Sequence, residues 1–237
     1  MHQAYSKDSS LFNTYVFLNG ETEGTGSLPE DINVGSEVQV TWMNGPRVVG
    51  LVASPRRGMN TDTIVSKMLE GAETAGASVE NVYVNDLVIR PCQACGKSPK
   101  PDFCFYHDGM DTIYSVINSA DAVIVGTPAY YDTISAQLKL VIDRCNCLTE
   151  MLTLPDGRVA FKSRVTKRKK GIFVWVADFS RNPEPALAAI RLWCKDALID
   201  LVDVFEVTDS DRGEGARNRA DVLQKAFETG AKLARSI

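Results

Sequence analysis

A polar and cationic turn follows an apolar strand-like segment near the start of the regular part of the chain. The segment spans residues 48–53, and a helix-like pattern begins near Ile64. A strand that passes through such a turn into a helix leaves unpaired N–H groups at the helix start, which with the helix dipole favour a phosphate. Side-chain donors in the turn are Ser54, Arg56, Arg57, Asn60, Thr61 and Thr63. The pattern predicts a phosphate-binding turn; an ordinary capped strand–helix connection is the alternative.

A second group of reactive residues lies in a cysteine-rich segment, residues 87–109, named here the cysteine loop. Cys92 and Cys95 are two residues apart, as are Cys104 and His107. These residues have the number and types of ligands of a Cys₃His zinc site. Three further cysteines fall on or beside predicted helices, and we interpret them as buried, unreactive thiols. They are Cys145, Cys147 and Cys194.

Strand-like and helix-like segments alternate from residue 47 onward. The strand patterns occupy residues 48–53, 79–84, 122–126, 172–177 and 201–207. A helical periodicity follows each strand, and the last four lie near residues 110–120, 138–145, 183–197 and 218–234. Ser135 is the predicted N-cap of the third helix. Five strands interleaved with five helices predict an α/β fold with a parallel sheet covered on both faces.

The loops at the carboxyl ends of the strands are where such a sheet binds ligands, near the switch in winding direction. They are residues 54–61, 87–109, 127–134 and 177–182. A basic tract at residues 162–170 lies elsewhere in the chain. We interpret this tract as a solvated loop before the fourth strand, with contact to the 2′-phosphate of NADPH or to an anionic partner as the alternative.

Residues 1–46 differ from the rest of the chain in composition and in their pattern of predicted elements. Strand-like patterns at residues 15–18 and 37–42 flank a stretch rich in Gly, Glu, Ser and Pro. This arrangement predicts a β-rich, hairpin-like arm that packs on the main domain or on a second subunit. A dedicated binding module is the alternative. The main domain is predicted at residues 47–237.

Composition narrows the class of protein. The 237 residues are 44% hydrophobic, which suits one large α/β domain with an appendage or two small domains. A net charge of −4 disfavours nucleic-acid binding through bulk electrostatics. No apolar run approaches the roughly 18 residues of a membrane span, and the N-terminus lacks the apolar middle of a secretory signal. We therefore expect a cytoplasmic protein with no membrane partner, whose six cysteines are thiols or ligands.

Two of the loops resemble those of the flavodoxin-like NAD(P)H-dependent FMN reductases. The sequence SPRRGMNT at residues 54–61 resembles their phosphate loop. GTPAYY at residues 126–131, followed by SAQLK and IDR at residues 135–139 and 142–144, resembles their second flavin loop and its helix. The resemblance covers roughly residues 47 to 237. It implies a flavodoxin-like, doubly wound, five-stranded parallel sheet with strand order 2-1-3-4-5.

The resemblance also implies FMN as the cofactor and assigns its binding residues. Ser54, Arg56, Asn60 and Thr61 would hold the phosphate, with Thr63 as a further cofactor-binding residue of the turn. Pro128, Ala129, Tyr130 and Tyr131 would line the isoalloxazine. The fourth-strand loop departs from the family's usual Thr/Gly-rich sequence, so no site residue is assigned there. No catalytic side chain is expected, because the flavin itself accepts the hydride.

The cysteine loop resembles the loop that carries four cysteines for a four-iron, four-sulfur cluster in the iron–sulfur flavoproteins of this superfamily. Ser98 stands where the compact pattern has its third cysteine. Three thiolates remain, whereas a cluster normally takes four. Three interpretations stay open: a metal-free loop, an iron–sulfur cluster with an unusual or exogenous fourth ligand, and the zinc site. We favour the metal-free loop.

These features together predict an FMN-dependent oxidoreductase. NADPH or NADH would reduce bound FMN, which would then reduce a small acceptor such as a free flavin or a quinone. The main rival is an electron-transfer iron–sulfur flavoprotein that exchanges electrons with a protein partner. A flavin-free regulatory or structural relative is a third alternative. The resemblance further implies a homodimer or homotetramer with the flavin near the subunit interface.

Overall fold

A sheet of five parallel strands forms the centre of the protein. The computed structural model describes residues 45–179, 182–209 and 215–237. The predicted arm at residues 1–46 lies almost entirely outside this part and stays a prediction. In chain order the elements are β1 (Arg47–Val52), α1 (Asn60–Thr74), β2 (Ser78–Tyr83), α2 (Met110–Ser119), β3 (Ala122–Pro128), α3 (Ala136–Arg144), β4 (Thr149–Thr153), β5 (Val159–Ser163), β6 (Lys169–Val176), α4 (Glu184–Asp196), β7 (Ile199–Val207) and α5 (Ala220–Arg235).

The strand order of the sheet is β2-β1-β3-β6-β7, with every neighbouring pair parallel. Because β6 and β7 are the predicted fourth and fifth strands, the predicted order 2-1-3-4-5 is confirmed. The winding direction reverses between β1 and β3. The carboxyl ends of these two strands therefore border the crevice in which doubly wound sheets bind ligands.

Two apolar cores lie on opposite faces of the sheet, because successive side chains of a strand point to opposite sides. Val48 and Val52 of β1 pack in the core beneath α1 and α5. Val49 and Leu51 belong to the other core, beneath α2, α3 and α4. All four side chains are fully buried. This two-sided burial explains why the strands read as continuous apolar runs.

Helices α1 and α5 approach each other closely enough for backbone contact. A Cβ atom added to Gly230 would lie 1.8 Å from the carbonyl oxygen of Met68, and one added to Gly71 would lie 2.0 Å from that of Phe227. Any larger residue would force the helices apart. The pair of glycines thus fixes the position of α1, whose N-terminus follows the turn after β1.

The chain between α3 and β6 forms a hairpin, where the sequence patterns predicted no strands. Strands β4 and β5 pair antiparallel in a separate two-stranded sheet. Met151, Val159 and Phe161 are exposed, so the hairpin lacks the buried face that makes a strand easy to predict. The prediction of a loop over residues 162–170 is also wrong at both ends, since the first two of these residues belong to β5 and the last two to β6.

No helix in the described ranges is long and apolar enough to cross a membrane.

Lys169, from the basic tract, is buried at the start of β6 with 2% of its surface exposed. Its ammonium donates to the carbonyl oxygens of Lys167 at 2.7 Å and Ala197 at 3.0 Å. Burial, together with the nearby charges of Lys167 and Arg168, lowers the pKa of Lys169 from 10.5 to about 8. Between these two values the unfolded chain binds more protons than the folded one, so this group makes stability rise with pH in that window.

Replacing Lys169 by Met removes this titration. We expect the free energy of unfolding of the wild type, relative to Lys169→Met, to improve by up to about 3 kcal/mol as pH rises from 7.5 to 10.5. Urea unfolding of both proteins across this range measures the difference. Lys195→Met, which removes an exposed lysine of α4, is the control. A difference between the wild type and Lys169→Met that does not change with pH would contradict the assignment.

Candidate functional site

A small cavity lies at the carboxyl edge of the sheet, between the turn after β1 and the loop after β3. Its volume of about 80 Å³ is room for a group the size of two or three water molecules. Seven predicted cofactor residues line it: Ser54, Arg56, Asn60, Thr61, Pro128, Ala129 and Tyr130. The structure thus brings the two predicted loops together around one point. Thr63, on the first turn of α1, and Tyr131 are not among the lining residues.

The turn after β1 is held in shape by its own polar groups. The buried Ser54 hydroxyl accepts a hydrogen bond from the Arg56 N–H at 3.2 Å. Gly58 has a φ of +67°, a conformation that glycine adopts without strain. Helix α1 then begins at Asn60, and Met59 at the N-cap position provides no side-chain hydrogen bond. A helix start without a side-chain cap suits an anion.

Asn60 has a structural role in addition to its place on the cavity wall. Its side-chain oxygen accepts a hydrogen bond from the Ala216 N–H at 2.9 Å, joining the start of α1 to the segment before α5. A substitution at Asn60 would therefore disturb the fold locally as well as the cavity. A substitution at Arg56 therefore tests phosphate binding more cleanly than one at Asn60.

The two adjacent arginines of the turn lie in different surroundings. Arg56 is exposed and lines the cavity. Arg57 instead pairs with Asp86 and stacks over the Tyr83 ring, with 3.8 Å between the guanidinium carbon and the ring centroid. The hydrogen bond to Asp86 raises the pKa of Arg57. Of these two arginines, Arg56 is the one that lines the cavity.

Asp62, for which the sequence patterns predicted no role, links the start of α1 to the preceding turn and to β2. Its carboxylate accepts hydrogen bonds from the Gly58 N–H at 2.6 Å and from the Tyr83 hydroxyl at 3.1 Å. Burial and this carboxylate raise the pKa of Tyr83, so its hydroxyl remains a donor. An acidic residue two positions after the start of a helix typically stabilises that helix start, so the sequence could have indicated this role.

The loop after β3 is anchored by Ser135, the predicted and confirmed N-cap of α3. Its hydroxyl accepts from the Leu138 N–H at 3.3 Å and donates to the Ala53 carbonyl at 2.7 Å. Thr127 accepts from the Ser135 N–H at 3.0 Å. These buried bonds tie the loop to the end of β1 and hold the two walls of the cavity together.

The tip of this loop is a tight, exposed turn. Tyr130 and Thr133 exchange backbone hydrogen bonds of 3.0 Å in both directions. The intervening Tyr131 and Asp132 both have positive φ, and the Tyr131 side chain is fully exposed. The Ala129 N–H donates to the Val176 carbonyl, which continues the pairing with β6. The tip therefore presents a tyrosine beside the cavity and another to solvent.

Gly126 lets α1 pack against the end of β3. A Cβ atom at this position would lie 2.5 Å from a methyl group of Val65 and 2.9 Å from one of Thr61. The absence of a side chain brings the start of α1 to the strand end, where Thr61 forms part of the cavity wall.

The remaining wall of the cavity consists of residues for which the sequence analysis assigned no role. They are Met59, Val176 and Asp178. Asp178 belongs to the fourth-strand loop, where no site residue was predicted. It is half-buried and adds a carboxyl-bearing residue to the cavity wall. The loop follows β6, which lies next to β3 in the sheet, and this position could have indicated that it borders the cavity.

The cysteine loop is held by two arginines. Arg144, at the end of α3, pairs with Asp108 at 2.6 Å and donates to the Arg90 carbonyl and, at 3.4 Å, to the Cys104 sulfur. Burial opposes ionisation of Asp108, but the hydrogen bond from Arg144 lowers its pKa below the usual value. Arg164 donates to several carbonyl oxygens of the loop and to that of Cys147 at 3.0 Å. Its loop acceptors are the carbonyls of Pro99, Asp102 and Phe103.

The predicted set of zinc ligands is not brought together. Cys92, Cys95 and Cys104 line one cavity of about 130 Å³, whereas His107 is exposed and bonds to Asp111 at 3.3 Å. Across the described ranges, no three side chains among His, Cys, Asp and Glu are grouped to hold a metal ion. A zinc site at these residues would therefore require the loop to rearrange.

The interpretation of the later cysteines is correct for two of the three. Cys145 and Cys194 are buried, and burial raises the pKa of both thiols, that of Cys194 to about 12. Cys147 is only partly buried and lines the same cavity as the cysteines of the loop. The prediction of a buried thiol is wrong for Cys147, because the 3₁₀ turn after α3 lies beside the cysteine loop and leaves this residue half-buried.

Comparison with known proteins identifies the family. The curated relatives include an iron–sulfur flavoprotein of Methanosarcina thermophila, 38% identical over 98 residues that cover 41% of this chain and 51% of the relative. An iron–sulfur flavoprotein of Archaeoglobus fulgidus is 34% identical over 98 residues, covering 41% of this chain and 44% of the relative. The alignments thus span about half the length of these relatives.

Solved structures with the same fold have much lower sequence identity. A flavone reductase superposes with a TM-score of 0.60 at 16% identity, covering 80% of this chain and 62% of the other. An NAD(P)H:quinone oxidoreductase from Methanothermobacter marburgensis superposes with a TM-score of 0.54 at 15% identity, covering 80% and 99%. The sequence model described as NADPH-dependent FMN reductase matches residues 46–179, more than half of the chain. The chain therefore belongs to the NADPH-dependent FMN reductase family.

Proposed function

We propose that this protein is an FMN-dependent oxidoreductase. NADPH or NADH would reduce the bound FMN, and the flavin would then reduce a small acceptor such as a free flavin or a quinone. One observation carries the proposal: the cavity combines an uncapped helix start, a serine hydroxyl and Arg56 with the loop after β3. Membership of the FMN reductase family supports it.

The residues of the cavity suit the FMN phosphate. The volume of about 80 Å³ matches a phosphate-sized group, so the ring system would lie outside, over the loop that carries Tyr130. Hydrogen bonds to a charged group contribute about 1.5–3 kcal/mol each, and the helix dipole adds up to about 2 kcal/mol. Ser54, Arg56 and the first turn of α1 would supply these interactions, and Thr63, which does not line the cavity, would be peripheral.

The ring would be oriented by backbone and aromatic groups rather than by ionisable ones. When bound, FMN supplies the chemistry, since its ring takes a hydride and passes electrons to an acceptor. The loop after β3 contributes Pro128, Ala129 and Tyr130, held rigidly by the Ser135 hydrogen bonds. The exposed Tyr131 would shield the ring or meet a second subunit, which accords with a homodimer or homotetramer. A rigid, open loop leaves one side of the ring accessible to the nicotinamide and then to the acceptor.

A second candidate function is electron transfer to a protein partner. The names of the curated relatives and the cavity lined by cysteines favour it. In that case the flavin would exchange electrons with the partner and would not require a nicotinamide.

Anaerobic addition of NADPH or NADH to the FMN-loaded protein separates the two candidates. The reductase proposal predicts that the visible flavin absorption bleaches within seconds and returns when a quinone is added. Stopped-flow absorption measures both steps. Bleaching by dithionite but by neither nicotinamide would contradict the proposal and favour the electron-transfer function.

Arg56→Ala tests the phosphate assignment against a matched control. Because Arg56 lines the cavity, its loss should weaken FMN binding about 10-fold, or about 1.4 kcal/mol. Arg57→Ala removes the same charge from the next residue, which pairs with Asp86, so FMN affinity should change less than 2-fold. Fluorescence titration of the apoproteins with FMN measures both values. Equal losses in the two variants would mean that the effect is only a long-range effect of charge.

A further inference from the structure

Four cysteines from two distant parts of the chain line one cavity. Cys92, Cys95 and Cys104 belong to the cysteine loop, and Cys147 belongs to the 3₁₀ turn after α3. The cavity has a volume of about 130 Å³ and is also lined by Ser98. It is separate from the cavity at the start of α1, with which it shares no lining residue.

The two arginines bring Cys104 and Cys147 to the same cavity. Arg164 donates to the Cys147 carbonyl at 3.0 Å and to the carbonyl of Phe103, the neighbour of Cys104, at 3.2 Å. Arg144 donates to the Cys104 sulfur at 3.4 Å. One guanidinium therefore joins the two cysteine-bearing segments, and the other contacts a sulfur directly. These bonds hold Cys104 and Cys147 in place, whereas Cys92 and Cys95 are exposed on the same cavity.

The charge around the cavity suits an anionic occupant. Lys97 and Arg144 are among its lining residues, and the lining residues in the described part of the chain include no carboxylate. Metal-bound cysteines are thiolates, so a site of four such ligands concentrates negative charge. Lys97 and Arg144 would offset part of that negative charge.

We propose that Cys147 is the fourth thiolate ligand of a four-iron, four-sulfur cluster held together with Cys92, Cys95 and Cys104. It would replace the thiol that the loop lacks at Ser98. Cysteine thiolates are the usual ligands of such clusters, and a serine hydroxyl gives up its proton far less readily than a thiol. Each ligand of a cluster binds a different iron atom, so the sulfurs need not converge on one point. The absence of a single-ion site among the described residues is therefore compatible with this assignment.

The inference does not depend on FMN binding, since the residues of the two cavities are different. The protein could therefore bind FMN without taking up iron, or take up iron without binding FMN, and the two failures can be told apart. Binding would release the protons of the four thiols to solvent as the iron–sulfur bonds form.

The test is anaerobic reconstitution of the purified full chain with sulfide and equal amounts of ferrous and ferric iron, the two oxidation states that the oxidised form of a four-iron cluster contains. We expect about four iron atoms and four acid-labile sulfides per chain, with an electron paramagnetic resonance signal after reduction by dithionite. Cys147→Ala should lose at least half of the iron and the signal. Ser98→Ala should retain both. Cys145→Ala, which alters a buried thiol two residues away from Cys147, is the matched control and should also retain both.

A rescue variant separates loss of a ligand from loss of structure. Ser98→Cys combined with Cys147→Ala should restore the iron and the signal, because it places the missing thiol within the loop. Circular dichroism and FMN binding verify that each variant is folded. Three results would overturn the proposal: no iron uptake by the wild type with its thiols reduced, full iron in Cys147→Ala, or loss of the cluster in Ser98→Ala alone.

Discussion

The buried hydroxyl of Ser135 joins the parts of the structure on which the candidate flavin site depends. It caps α3 through the Leu138 N–H and at the same time donates to the carbonyl of Ala53, where strand β1 has ended. A carbonyl at the end of a buried strand needs a partner, because an unsatisfied buried polar group costs about 1–3 kcal/mol. One side chain therefore satisfies two backbone groups and fixes the distance between the two loops. The polar groups of the turn and the ring-binding loop owe their relative position to it.

A second constraint, the pair Arg144 and Arg164, organises the other end of α3. These side chains replace regular hydrogen bonding for the long cysteine loop, most of whose carbonyl groups lie outside helices and strands. Arg144 is 2% exposed and ion-paired, so its removal would leave Asp108 as an uncompensated charge. The helix thus presents a capped N-terminus to one cavity and a cationic C-terminus to another. The same short element positions the residues of both.

Much of the fold and the candidate flavin site could be predicted from local patterns. The five buried strands are continuous apolar runs, and the donors of the turn after β1 that line the cavity fall within eight residues. The hairpin β4–β5 was missed because both of its faces are largely exposed, although the Pro155-Asp156-Gly157 turn was a visible signal. Asp178 was missed because the loop in which it lies has an atypical sequence. Residues brought together by sheet order require the topology before their proximity can be seen.

Cys147 illustrates the limit of sequence spacing most clearly. It lies 43 positions after Cys104, and nothing in the intervening sequence indicates that the two residues share a cavity. Their proximity depends on Arg164, which reaches from the end of the hairpin to both segments. A basic tract that was interpreted as a solvated loop therefore contains one anchoring arginine and the buried Lys169. Charge runs conceal such roles because composition alone does not distinguish a solvated cation from one bound to backbone carbonyls.

The central claim is that the start of α1 and the turn before it bind the phosphate of FMN. Titration of the apoprotein with FMN and with riboflavin, which lacks only the phosphate, tests it most directly. Two charged hydrogen bonds together with the helix dipole predict that FMN binds at least about 100-fold more tightly than riboflavin. Equal affinities for the two flavins would contradict the account.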